Sequence, residues 1–303
     1  MGASGGTYRL SQIIDSVDPA KPVLIAGPTA SGKSELALRL SEAQGGVIVN
    51  ADAIQVFSDW RVLTARPSEE DETRAPHALY GHVSGDTPYS VGDWLRDLET
   101  HLENELRPII VGGTGLYFTA LTEGLAEIPE TPDAIRQTAM RRIQQHGHVP
   151  LIDELDAETR ARIDTANPMR VQRAWEVLTN TGRGLAKWQD DTAPPRLRLS
   201  DTTALLVNAE KDWLTPRIEA RFDKMLASGA MDEALANRPT WTPEQPSAKA
   251  IGAAELMAVI DGTLTIDEAR NRATILTRQF AKRQRTWFRA RMRNWQQVDA
   301  REL

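Results

Sequence analysis

Apolar positions follow two rhythms along this chain, and the rhythms take turns. Short unbroken apolar runs occur at Pro22-Val23-Leu24-Ile25-Ala26, Gly46-Val47-Ile48-Val49-Asn50-Ala51, Arg107-Pro108-Ile109-Ile110-Val111 and Ala204-Leu205-Leu206-Val207. Runs this short and continuous predict strands buried on both faces. Between the first two, Glu35 to Ala43 is rich in helix formers and sets Leu36, Leu40 and Ala43 on one side. Strands alternating with helical stretches imply a parallel sheet with ligand chemistry at the carboxyl ends of its strands. From about Glu130 to Asp190 no strand pattern occurs. The periodicity there is helical, with Arg136, Arg141, Arg142, Arg160, Arg162, Arg170 and Arg173 scattered through it. Pro194-Pro195 marks the exit, and a second break at Asn237 to Ser247 carries Pro239, Pro243 and Pro246. There are no internal repeats.

The turn after the first strand run reads Gly27-Pro28-Thr29-Ala30-Ser31-Gly32-Lys33-Ser34, a complete phosphate-binding loop in the strand–loop–helix context it requires. Gly27 and Gly32 let the backbone curl so that consecutive N–H groups face phosphate oxygens, and the helix starting at Lys33 turns its positive dipole end toward the same anion. Lys33 supplies a mobile cation, and the Ser34 hydroxyl is a natural ligand for a phosphate-bound Mg²⁺. The expected fold is therefore α/β: a P-loop NTPase-like core with a parallel sheet flanked by helices, plus an all-helical insertion domain. The corresponding division is a flexible N-terminal segment over 1–21, a catalytic core over 22–128 and 204–303, and the helical insertion over 129–203.

Composition narrows the setting. The 303 residues are 41% hydrophobic and 26% charged, which suits a globular protein. The chain has no cysteine, which excludes disulfides, thiolate metal sites and a cysteine nucleophile. The five histidines show no ligand spacing for a metal, and His146-Gly147-His148 reads as a turn. With no transmembrane run and no apolar signal core near the N-terminus, a cytoplasmic location and no membrane contact are expected.

The net charge of −6 conceals an asymmetry. Arg270, Arg272, Arg278, Lys282, Arg283, Arg285, Arg289, Arg291 and Arg293 occur with no acidic residue among them, leaving 27 basic against 42 acidic residues elsewhere. On a helix, Arg278, Lys282, Arg285, Arg289 and Arg293 fall within an arc of roughly 80°, with Leu276, Phe280 and Trp287 expected as the core-facing stripe opposite. Solvated helices usually mix signs, so this face is expected to meet a polyanion.

The second and third strand runs end at Asp52 and at Gly112-Gly113-Thr114-Gly115. Neither carries the Asp-Glu pair of a water-activating ATPase. Asp52 is placed to hold Mg²⁺, to accept a proton from an acceptor substrate, or merely to cap the next helix.

Eight runs together carry a resemblance. They are Gly27–Ser34, Asp52-Ala53-Ile54-Gln55-Val56-Phe57, Leu63-Thr64-Ala65-Arg66-Pro67, Val111-Gly112-Gly113-Thr114-Gly115-Leu116-Tyr117, Arg170-Val171-Gln172-Arg173-Ala174-Trp175-Glu176-Val177, Arg217-Ile218-Glu219-Ala220-Arg221-Phe222, Lys249-Ala250-Ile251-Gly252 and Thr277–Gln284. In this order, from about residue 22 to 290, they resemble the bacterial tRNA dimethylallyltransferases, also called tRNA isopentenyltransferases. Ala53, Phe57 and Ala253 depart from the residues usual there, as does Asp164-Thr165-Ala166-Asn167.

The resemblance implies transfer of a dimethylallyl group from dimethylallyl diphosphate to the exocyclic amine of the adenosine 3′-adjacent to the anticodon, with Mg²⁺ as cofactor. It implies that Gly27, Thr29, Ala30, Ser31, Gly32, Lys33, Ser34 and Arg221 hold the diphosphate and that Asp52 is the general base. Thr114 and Gln55 would hold the adenine beside Ala53 and Ile54. It implies a tRNA grip by Arg136, Arg170, Arg173, Lys249, Gly252, Arg278, Lys282, Arg283, Arg285 and Arg289 on the anticodon stem-loop. A monomer needing no protein partner is expected. The rivals are an adenylate isopentenyltransferase, which would need neither the insertion nor the basic helix, and a P-loop small-molecule or nucleotide kinase.

Overall fold

In the computed structural model, which describes residues 5–303, the strands β1 (Val23–Ala26), β2 (Val47–Asn50), β3 (His77–Ala78), β4 (Pro108–Gly112), β5 (Thr203–Asn208) and β6 (Gln296–Asp299) form one sheet. Its order is β3-β2-β4-β1-β5-β6, and every pairing is parallel. Val23 stands opposite Ile109 on one side and Thr203 on the other, while Val47 pairs with Pro108. Every residue of β1, β2 and β4 is buried, as continuous apolar strands covered on both faces must be. Because β4 lies between β1 and β2, the segments leaving these three strands emerge side by side. The site is built there.

The chain divides into two units, residues 1–122 with 197–303 and residues 123–196. In the first, the helix Lys33–Gln44 buries Leu36, Ala37, Leu38 and Leu40 against the sheet. Of the segment expected to be flexible, residues 1–4 lie outside the described residues. The helix Gly5–Asp15 follows, and its Leu10, Ile13 and Ile14 pack on the same core. A second core gathers Trp60 and Leu63, from the loop after β2, with Phe222, Leu256 and Met257. The Glu233 carboxylate fixes that loop by accepting the N–H groups of Arg61, Val62 and Leu63 at 2.5, 2.9 and 2.9 Å.

The basic run lies on the helix Ile266–Arg291, but its inward face is not the expected one. The buried positions are Ala269, Ala273, Thr274, Ala281, Gln284 and Phe288. Leu276 is 37% exposed, and Phe280 and Trp287 are only partly buried. Small residues let this helix approach its neighbours closely, so the alanine side is the buried one.

The second unit is all-helical: Asp133–His146, Val149–Asp153, Ala157–Arg162, Pro168–Thr181 and Leu185–Asp190. Ala139, Leu151, Leu155, Val171, Ala174 and Trp175 form its core. Asp156 and Asn167 cap two of these helices through their side-chain oxygens, each saving backbone N–H groups from being left unpaired.

Candidate active site

The loop after β1 has the curled backbone of a strand–loop–helix turn. Its backbone adopts positive φ at Ala30 (62°) and Gly32 (89°), which turns the chain tightly into the helix Lys33–Gln44. Ser31 is fully buried, and its hydroxyl has no hydrogen-bond partner among the protein groups. A buried orphan of this kind costs stability unless a ligand satisfies it. Lys33 donates Nζ–H to the Pro28 carbonyl at 3.3 Å. Burial pulls its pKa from 10.5 down to about 8, against the attraction of Asp52 and with help from the repulsion of Arg221. A bound diphosphate would reverse the balance by supplying charge of the opposite sign.

Asp52 follows β2 and is held from both sides. Its N–H donates to the Asn50 side-chain oxygen at 2.9 Å, and its Oδ1 accepts the Ile54 N–H at 3.0 Å. Asn50 is fully buried and also donates Nδ2–H to the carbonyls of Asp52 and Leu79, both at 3.0 Å. The Trp94 indole donates to the Asn50 carbonyl at 2.7 Å. Thr114 follows β4, and its hydroxyl oxygen accepts the Ala53 N–H at 2.9 Å. The Thr114 hydroxyl is thus placed one residue from Asp52, with its own proton available to donate. Asp52 Oδ2 lies 3.4 Å from where a Cβ on Gly113 would sit, an ordinary contact distance.

Arg221 comes from the helix Lys211–Ala227 and donates to the Thr64 carbonyl at 3.4 Å. Burial lowers its pKa, and Asp52 opposes the shift. Asp52 is therefore the countercharge shared by Lys33 and Arg221; desolvation raises the pKa values of half-buried Tyr80 and buried Tyr117, and Asp52 adds to both shifts. The cluster can bind a concentrated anion beside a carboxylate. Gln55 donates its amide to the Thr64 and Ala65 carbonyls at 2.9 Å each, which leaves its oxygen as the group to meet a ligand. It lines a small pocket with Ser34, Tyr80 and Arg66.

The structure therefore brings Asp52, Thr114, Lys33 and Arg221 together. The backbone N–H groups of Ala53 and Ile54 are engaged in holding that arrangement. Gly252 starts the helix Ala253–Ile260 and donates its N–H to Glu255, and Lys249 is exposed. The basic helix is not uniformly free. Arg278 pairs with Glu219 at 3.6 Å and Arg270 with Asp223, carboxylates of the helix Lys211–Ala227 that the helix's own sequence could not reveal. Lys282, Arg283 and Arg289 are exposed, and Arg285, Arg289 and Arg293 line a cleft with Pro28 of the phosphate loop. In the helical unit Arg136, Arg170 and Arg173 are exposed, near Asp133 (3.4 Å), Asp164 (3.8 Å) and the Thr131 hydroxyl (2.9 Å) respectively. Asn50, Tyr80 and Glu233 lie outside the motif runs, and Tyr117 and Gln284 lie within them without an assigned role; their part comes from the structure.

The sequence profile described as IPP transferase matches residues 55–291, and one described as Isopentenyl transferase matches residues 21–77. A tRNA dimethylallyltransferase of Ruegeria sp. (strain TM1040) is 61% identical over 285 residues, covering 94% of this chain and 98% of that protein. The crystal structure of a tRNA isopentenylpyrophosphate transferase from Bacillus halodurans is 28% identical, with a TM-score of 0.64 over 92% of this chain and 90% of that one. A eukaryotic dimethylallyltransferase, crystallised in snapshots of its action on tRNA, shares the fold with a TM-score of 0.76 at 24% identity over 92% of this chain and 74% of that one.

Proposed function

We infer the function from membership: this chain belongs to the IPP transferase family. It is a prenyltransferase acting on tRNA. The reaction is transfer of a dimethylallyl group from dimethylallyl diphosphate to N6 of the adenosine 3′-adjacent to the anticodon, with release of diphosphate. The observation that carries this reading is the convergence of the phosphate loop and Lys33 after β1, the Asp52 carboxylate after β2, Thr114 after β4, and Arg221 from the helix Lys211–Ala227.

The N6 lone pair attacks the allylic C1, the C1–O bond breaks, and its electron pair leaves on the diphosphate. The departing charge is met by the loop N–H groups, Lys33 and Arg221. The adenine amine is a weak nucleophile, and Asp52 accepts the N6 proton as the new bond forms, an effect of about 10² to 10⁴ in rate. Oδ2 is the acceptor atom, since Oδ1 already holds the Ile54 N–H. Thr114 and the Gln55 oxygen orient the base, which must leave its stack to reach them.

Mg²⁺ fits the residues present. Ser34 places a hard hydroxyl oxygen in the first helical turn, and the unpartnered Ser31 hydroxyl marks a cradle shaped for phosphate oxygens. When bound, the ion would neutralise charge on the diphosphate. The anticodon stem-loop is held by Lys282, Arg283, Arg285 and Arg289 on the long helix, by Lys249 and Gly252, and by Arg136, Arg170 and Arg173 of the helical unit. These contacts address phosphates and loop shape. Arg278 joins them by exchanging Glu219 for phosphate.

The test is incubation with labelled dimethylallyl diphosphate, Mg²⁺ and bulk tRNA, with and without ATP. Label enters RNA in both arms if the reading holds. Transfer that consumed ATP stoichiometrically would make the loop a kinase site and overturn it.

A further inference from the structure

One buried side chain on the basic helix joins the two halves of the site. Gln284 is 6% exposed. Its side-chain oxygen accepts the N–H of Thr29, within the phosphate loop, at 2.9 Å. Its Nε2 donates to the carbonyl of Gly113 at 2.9 Å. Gly113 immediately precedes Thr114, whose hydroxyl holds the Ala53 N–H beside Asp52. The approach is close: a Cβ on Gly113 would fall 2.1 Å from Nε2, so no larger residue is accommodated there without displacing the amide.

We propose that Gln284 is a positioning residue, which fixes the separation between the diphosphate held by the loop after β1 and the Asp52–Thr114 pair. The inference rests on the prenyl-transfer reading above. The diphosphate end of the donor is anchored at one side of the amide and the proton acceptor at the other. The distance between them sets how far C1 stands from N6. Only a carboxamide can serve both bonds. A glutamate keeps an acceptor for Thr29 but sets oxygen against the Gly113 carbonyl, and a methionine keeps the shape and loses both. The Thr29 N–H is thereby engaged by Gln284.

The role is geometric, and the readout separates geometry from folding and binding. Gln284→Met and Gln284→Glu are compared with wild type for single-turnover transfer at saturating substrates, for affinity toward tRNA, for affinity toward inorganic diphosphate, and for melting temperature. The expected result for Gln284→Met is a fall in the transfer rate of about 10²-fold, the scale of a misplacement near 1 Å, with both affinities changed less than about threefold. Gln284→Glu is expected to lose rate too, and to lose diphosphate affinity through its added charge. A wild-type rate in Gln284→Met overturns the proposal. So does a rate loss matched by equal losses in both affinities, or failure of both variants to fold, because each makes Gln284 a core residue only. If wild type itself transfers no label to tRNA, the reaction assignment fails instead, and the two failures are thereby distinguished.

Discussion

Lys33 should make donor binding depend on pH in a window where most lysines are silent. Its ammonium has a pKa of about 8 in the free protein, depressed mainly by burial. A bound diphosphate keeps the group charged, so binding above that pKa requires uptake of a proton. The apparent dissociation constant is then multiplied by a factor of about 1.1 one unit below the pKa and about 11 one unit above it. Between about pH 7 and pH 9 affinity falls about tenfold, or about 1.4 kcal/mol. The assay is titration of the full-length protein with inorganic diphosphate at fixed Mg²⁺ across this range, repeated with Lys33→Arg. The arginine stays charged, so its profile should be flat, whatever its absolute affinity. A flat wild-type profile refutes the reasoning, as does an identical slope in the arginine variant. The stability consequence has the opposite sign. The folded-state pKa of about 8 lies below the unfolded value of 10.5, so the unfolded chain holds the extra proton between them. Stability is therefore gained as pH rises through that window. Lys33→Met should raise the melting temperature at neutral pH, and the advantage should shrink toward the upper end.

Two further outcomes follow from single features. Asn50→Leu removes three hydrogen bonds made by a fully buried side chain to Asp52 and Leu79, and should cost at least about 2 kcal/mol in denaturant melts; a cost below about 0.5 kcal/mol would mean that the strand end holds itself. Replacing Arg285, Arg289 and Arg293 together with Gln should weaken tRNA binding across substrates. It should also flatten the slope of log affinity against log salt by about 0.7 to 0.9 for each phosphate no longer neutralised, while melting changes little because exposed Arg289 and Arg293 and half-buried Arg285 make no ion pair among the described residues and surface charges contribute about 0–1 kcal/mol each. An unchanged salt slope would make the stripe a solvated face.

What the sequence disclosed depended on how each residue signals. The phosphate loop was legible because its residue types stand at fixed offsets, and β1, β2, β4 and β5 because buried parallel strands are continuous apolar runs. β3 has two residues and β6 reads Gln-Gln-Val-Asp, so neither presents such a run. The long helix is legible as a helix, but its buried side is not the one its large apolar residues indicate. Leu276, Phe280 and Trp287 dominate a hydrophobic periodicity, whereas close packing is served by Ala269, Ala273 and Ala281. Asp52 stood out at a strand end. The residues that hold the site together, Asn50 and Gln284, are buried amides, and an amide's burial is decided by partners distant in sequence: Thr29 lies 255 positions from Gln284. The pairing of Arg278 with Glu219 was hidden for the same reason.

The most direct measurement is single-turnover transfer of labelled dimethylallyl diphosphate to tRNA by wild type and by Asp52→Asn, followed by digestion of the RNA to locate the label. The asparagine keeps the shape of the side chain and removes the proton acceptor. Wild type is expected to label N6 of the adenosine next to the anticodon and to release one diphosphate per label. Asp52→Asn is expected to slow transfer by at least about 10²-fold with tRNA affinity within a few-fold. Near-normal transfer by Asp52→Asn would contradict the role of Asp52, and label absent from the adenine amine would contradict the reaction itself.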